Sequence, residues 1–417
     1  MRYISKGIRE GKSSEGYVLT ISLIMVVFFA ILFTALFMQV GAEIGGTETE
    51  MLTNRTLFIA ESGIEHSLSM LRMSPNWREG FTQEPLLNIE KTETIGFYSV
   101  EFDEDVDESP WTRVPATATG VLTTDGESVI TKIRADILTA NPAEFFIFTT
   151  DKCTINNLAQ IQNGSIYAKE LVFAVNTAFP EDLIIDTPTF YLQGFDYTIE
   201  DPNGSGTSPD VVIDEVPSET GPVAFPSLNL DRYRELADPA LGGNGRYFEA
   251  DAVFDSGIAR EPGENGVIFA EGDVYIKGEI QDPITVVAAG DIYITGSITW
   301  REEDSNPVGK LGLFAKDDIF ISEEAPDSIS IRAQLIADGG QFESLGERGS
   351  KLGGLEFIGS MAIRGGKDAE YGAIDLYVYA PRIYRYDPEL LNSPSLPYVT
   401  YIANLDSWDE LINWSQE

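Results

Sequence analysis

Tyr17–Val40, YVLTISLIMVVFFAILFTALFMQV, contains no charged residue. As a helix rising 1.5 Å per residue it extends about 36 Å, enough to cross a hydrocarbon core with some tilt. Secretory apolar stretches run roughly 7–15 residues, whereas this one continues to its first carboxylate at Glu43. Although Val40-Gly41-Ala42 offers small residues for cleavage, the segment therefore reads as a retained transmembrane helix. Ahead of it Arg2, Lys6, Arg9 and Lys12 outweigh Glu10 and Glu15. Positive flanks stay cytoplasmic. The sequence thus predicts a single-pass cytoplasmic (inner) membrane protein whose N-terminus faces the cytoplasm, whose bulk is extracytoplasmic, and which contacts inner-membrane lipid.

Helical spacing persists beyond the span. Leu52, Thr56, Ile59, Ala60, Gly63, Ile64, Ser67, Leu68 and Leu71 recur three and four residues apart, while Glu48, Glu50, Arg55, Glu61 and Glu65 fall on the other side. One small or apolar stripe opposite a charged one marks an amphipathic helix ready to pack on a domain of its own chain. Gly45-Gly46 softens the junction.

Three features carry a resemblance: the basic leader ending Ser14-Glu15-Gly16, the apolar helix from Tyr17, and the run Asn54-Arg55-Thr56-Leu57-Phe58-Ile59-Ala60-Glu61-Ser62-Gly63-Ile64-Glu65. Over roughly residues 10–72 the chain resembles the PilX-type minor pilin N-terminal family. The resemblance implies cleavage after Gly16 by a prepilin peptidase, methylation of Tyr17 as the new N-terminus, and partnership with other pilin or pseudopilin subunits. It also marks Ala60, Glu61, Ser62 and Gly63 as the family motif. Major pilins usually carry Phe and, five residues into the mature chain, Glu; here Tyr17 and Ile21 stand there. The missing glutamate is similar to tip pseudopilins, which implies a subunit that starts or caps a filament.

After the helix, Tyr98–Phe102 and Val129–Ile137 alternate apolar and polar residues, with Val114–Leu122 between them and the turn signal Asp125-Gly126 before the last run. Three antiparallel strands laid on the helix stripe form a small pilin-like headpiece. The acidic stretch Asp103–Glu108 reads as a solvated loop.

A repeat dominates the remainder. Ala270-Glu271-Gly272-Asp273-Val274-Tyr275-Ile276-Lys277-Gly278 is echoed by Ala288-Ala289-Gly290-Asp291-Ile292-Tyr293-Ile294-Thr295-Gly296 and, more weakly, by Ala315–Glu323. The aspartates Asp273, Asp291 and Asp318 lie 18 and then 27 residues apart, the extra nine matching the polar insertion from Arg301 to Lys310. Short strands joined by tight corners, with Val and Ile turned inward and stacked coil on coil, predict a mainly-β, single-stranded β-solenoid. The repeat is similar in texture to bactofilin-type polymer-forming domains. The division predicted is a leader (1–16), a helix (17–72), a β headpiece (73–142), a first solenoid part (143–179), a loop-rich insertion (180–262), the main solenoid (263–380) and a C-terminal cap (381–417).

Composition narrows the function. A net charge of −39 repels phosphate backbones, so nucleic acid is excluded as a partner. The lone Cys153 allows no intramolecular disulfide, and the single histidine, His66, has no second His or Cys to complete a zinc shell. Asp201–Val212 resembles a calcium loop in its first half, but Val212 stands where a bidentate Glu is required. Asp273 and Asp291 follow Gly at predicted corners, which favours turn geometry over an acid pair. No nucleophile elbow, P-loop or zinc-protease motif is present. The expectation is a protein that is not an enzyme and has no cofactor, metal or catalytic residue. It would be a filament subunit of a type IV pilus or secretion pseudopilus, presenting the solenoid to a surface or glycan ligand. The alternatives are an uncleaved envelope protein whose solenoid polymerises or binds a partner, and, behind it, a β-helix carbohydrate-active enzyme.

Overall fold

The computed structural model describes residues 14–411 apart from 89–92, 109–110, 125–126, 157–158, 163, 175–183, 187–188, 193–196, 201–217, 220–222, 224, 304–305, 348–349, 366–372, 393–395, 397–398 and 400. The leader before Ser14 and the calcium-like loop Asp201–Val212, up to residue 217, lie outside the described residues.

Helix α1, Ser14–Met73, is a single helix through the apolar stretch and the amphipathic one. Ser22–Val40 is long and apolar enough to cross a membrane, and none of it is buried. The second half packs on antiparallel strands β1 (Phe81–Leu87), β2 (Thr94–Phe102), β3 (Val106–Glu108), β4 (Trp111–Thr124) and β5 (Glu127–Ala140), in spatial order β1-β2-β4-β5 with β3 on β4. Ile59, Ala60, Ile64, Leu68 and Leu71 meet Tyr98, Val100, Val114, Ala118, Ile133 and Ile137 in one core. The expected stripe is thus the buried one, because residues three and four apart share a helix face.

The sheet has a fifth strand in that order. Ile402–Leu411 pairs antiparallel with β5, Ile402 opposite Ala140 and Leu411 opposite Lys132. Arg72, in the last turn of α1, donates through Nε and Nη2 to the Ala403 carbonyl, and the Tyr401 amide donates to the Arg72 carbonyl. The predicted cap 381–417 is therefore corrected: its end completes the headpiece, and its start, Arg382–Tyr386, is a strand of the parallel region. β5 has a free edge that this segment covers.

Among the described residues, the strands between Phe145 and Tyr386 pair in parallel, one small hairpin apart, and most of them pack on one buried core. Val274 pairs with Ile292 and Ile292 with Ile319, so the 18- and 27-residue spacings become neighbouring rungs. The polar insertion is a small hairpin in which Glu302-Glu303 pairs with Asn306-Pro307. One ladder runs through Val267–Ala270, Pro283–Ala288 and Lys310–Ala315, which are almost wholly buried on both sides. The ladder through the start of Val274–Ile280, the start of Ile292–Trp300 and Ile319–Ile321 alternates buried and half-buried residues. Continuous apolar runs against alternating ones mark the difference between a face covered by other chain and a face in water.

The cover is Val223 and residues 225–237, including helix α2 (Leu230–Ala237). The Val223 amide donates to the Tyr167 hydroxyl, Phe225 packs on Phe148, Tyr233 on Phe314, and Arg234 over Phe269. This strap descends the stack to Arg246–Phe248, where the rungs begin again. The predicted insertion 180–262 is accordingly narrower: Ile184–Asp186, Thr189–Leu192 and Tyr197–Glu200 pair with earlier rungs, and Arg246–Phe248 and Ala252–Phe254 with later ones. Strands of three or four residues among Pro, Gly and Asp hide their periodicity.

Chain order and spatial order differ. Met361, Ala362 and Ile363 pair with Ile147, Phe148 and Thr149, and Arg382–Arg385 pair with Ala159–Gln162. The last rungs in sequence thus lie directly beside the first.

Candidate functional site

Gly16 and Tyr17 fall in the first turns of α1, at the head of the bare apolar stretch. The motif residues lie far along the same helix and have packing roles. Ala60 is fully buried, and a Cβ on Gly120 would stand 2.8 Å from its amide and 2.2 Å from the Thr56 carbonyl. A Cβ on Gly63 would press Tyr98 and Val100, each at 3.0 Å. Small residues on both sides let α1 lie close against β2 and β4. Ser62 donates back to the Phe58 carbonyl, and Glu61 lines a shallow pocket with Ile64, Ile133 and Leu405. The structure does not bring the motif together with Gly16 and Tyr17.

His66 is engaged locally: Nδ1 lies 2.7 Å from the Tyr98 hydroxyl and the ring stacks on Phe81 at 4.2 Å. Burial alone pushes the Cys153 thiol up to about 12, away from reactive thiolate. Asp105 of the acidic stretch accepts both arms of Arg78 at 2.8 and 2.6 Å. Among the described residues, no three His, Cys, Asp or Glu side chains gather as metal ligands would.

The corner aspartates form a ladder. Asp251 Oδ1 accepts the Asp273 amide, Asp273 Oδ1 the Asp291 amide, and Asp291 Oδ1 the Asp318 amide, each at 2.9 Å. Asp318 Oδ1 then accepts the Gln341 amide at 2.5 Å. Each carboxylate satisfies the corner of the next rung, so Asp273 and Asp291 act as a turn device in this geometry. The preceding glycine has its own reason: a Cβ on Gly290 would lie 2.4 Å from the Asp273 carboxylate. Tyr275, Tyr293 and Phe320 stack alongside at 4.9 and 5.3 Å.

A cleft of about 840 Å³ opens between the last turn of α1 and the strap. Arg72, Arg232, Arg234, Lys316 and Arg364 line it, with Asp231 among them. Behind two of these cations lies Asp338, whose side chain is 1% exposed and pairs with Lys316 and Arg364. Burial pushes that carboxyl up, but hydrogen bonds from the two cations outweigh burial and hold it below the usual range. Arg234 forks onto Glu271 at 2.5 and 2.9 Å, which raises the guanidinium's pKa and lowers the carboxyl's. Sequence reasoning missed this site because its five cations come from separated parts of the chain. The one local hint is Arg232 and Arg234 close together in a chain poor in cations.

No family model and no curated protein matches the chain. Among solved structures, the competence-associated pilin ComZ from Thermus thermophilus is similar at 11% identity and a TM-score of 0.31, over 86% of this chain and 97% of that one. A likeness at that score does not by itself establish a shared fold.

Proposed function

We propose that this chain is a pilin-like filament subunit, held in the inner membrane by α1 before assembly and packed through α1 with other pilin subunits afterwards. In this reading the in-register ladders are a β-solenoid, displayed outward on the headpiece for assembly or surface contact and not for catalysis. The observation that carries it is the division of one unbroken helix. Its first half is apolar and bare along Ser22–Val40, while its second half is seated on an antiparallel sheet. A bare apolar helix face requires lipid or other helices around it. A prepilin peptidase would cut between Gly16 and Tyr17, leaving the helix free to leave the bilayer.

The test is mass spectrometry of the N-terminus in cells with and without prepilin peptidase, together with sheared filaments. The expected result is N-methylated Tyr17 only when the peptidase is present, and the chain in the filament fraction. A chain that begins at Met1 in both strains and stays in the membrane sinks the filament reading in favour of an anchored envelope solenoid.

A further inference from the structure

We infer that the cleft between α1 and the strap docks an acidic surface segment of a second copy of this chain. Five of the chain's 28 cations line this one cleft; Asp231 and Glu271 on Arg234 and Asp338 behind Lys316 and Arg364 offset part of their charge, and the cleft stays net positive in a molecule of net charge −39. The contrast makes the cleft the place where another copy's predominantly acidic surface meets attraction instead of repulsion.

The cations are held from behind. Arg364 donates to Asp338 and to the Ser227 hydroxyl while its guanidinium lies 4.6 Å over the Phe225 ring. Lys316 reaches Asp338 at 2.8 Å. Asp338 carries one negative charge against those two positive ones, so the pair of cations keeps a net positive charge toward the opening. Arg72 spends Nε and Nη2 on the Ala403 carbonyl, and its Nη1 has no partner among the described residues. Arg232 lines the cleft and makes no ion pair among the described residues. Preset guanidinium forks lose little freedom on meeting a carboxylate, and such charge-assisted pairs are the stronger ones. Because cleft and acidic segment are different surfaces, the contact is heterologous and extends in one direction unless a ring closes.

The experiment uses the full chain in nonionic detergent, which shields the apolar helix, and follows mass by sedimentation velocity across a salt series. The expected result is association at moderate salt, where the repulsion between two copies of net charge −39 is screened, that weakens again as salt rises further and screens the contacts in the cleft. Arg232→Glu is expected to raise the dissociation constant at least about tenfold with an unchanged circular dichroism spectrum, and Arg232→Lys to keep most of the affinity. Added oligoglutamate peptide should disperse the wild-type oligomer. A monomer at every salt concentration, or an association that survives Arg232→Glu or excess oligoglutamate, overturns the proposal. It stands apart from the filament reading: a chain that is processed and carried in filaments but shows no such association refutes the cleft alone. A chain that associates through the cleft but is never processed refutes the filament alone.

Discussion

Asp291 sits in the middle of the corner ladder with Asp273 on one side and Asp318 on the other. Burial chiefly, and then the charges of Asp318 and Asp273, hold its carboxyl above the usual range, against the opposing hydrogen bond from the Asp318 amide. A carboxyl raised on folding binds its proton more tightly in the folded state, so stability falls as pH rises from the unfolded value of about 3.9 through the raised folded one. Asp291→Asn keeps an oxygen for the Asp318 amide and removes the charge. The variant should therefore be more stable than wild type at neutral pH, by no more than about 1 kcal/mol because the group remains partly solvated and screened. The advantage should vanish below about pH 4; thermal melts at pH 7 and pH 3.5 check this, and an unchanged difference across the range would contradict the ladder's electrostatics. The corner role of these aspartates was legible from the Gly-Asp repeat, since the spacing itself encodes the rung. The cleft was not, because Arg72, Arg232, Lys316 and Arg364 approach only after distant segments pack.

Part of the headpiece was legible: β1 was not foreseen, and the acidic stretch Asp103–Glu108, read as a solvated loop, carries strand β3 at Val106–Glu108, paired with β4. The helix stripe and the three alternating runs appear as α1, β2, β4 and β5, because a one-sided core imposes a readable period. The strand Ile402–Leu411 was not legible, since nothing local says which distant edge a terminal strand will choose. Its pairing gives a prediction at the same scale. Truncation before Ile402 unpairs one side of β5 and removes the carbonyl that Arg72 grips. Amides of Lys132–Ala140 that face the lost strand should then exchange at least about tenfold faster, as local opening free energy drops by some 1.4 kcal/mol or more. Amides in Val267–Ala270 and Pro283–Ala288 should keep their protection. Unchanged protection in β5 would mean that the strand merely lies beside the sheet.

At the scale of the molecule, the predicted repeat was correct in its spacing but silent on its order in space, because parallel pairing between rungs depends on which apolar face finds which, not on chain sequence. Phe145–Thr149 gains its neighbour on one side only when Leu355–Ile363 is in place. The early strands thus complete their pairing only when the late ones are made, a non-local closure that slows folding. Phe148 is the side chain to probe. It is fully buried, stacks on Tyr167 at 4.7 Å, lies 5.4 Å from Phe145, and touches the strap at Phe225. Phe148→Ala should cost about 3–5 kcal/mol through lost burial and an unfilled cavity. If the join makes the two pieces one cooperative unit, the loss should appear together in hydrogen exchange of Phe145–Thr149 and of Leu355–Ile363, while β2 and β4 stay protected. A loss confined to residues 145–200 would instead show that the stack from Arg246 onward stands without the earlier rungs, and that the join carries no cooperativity.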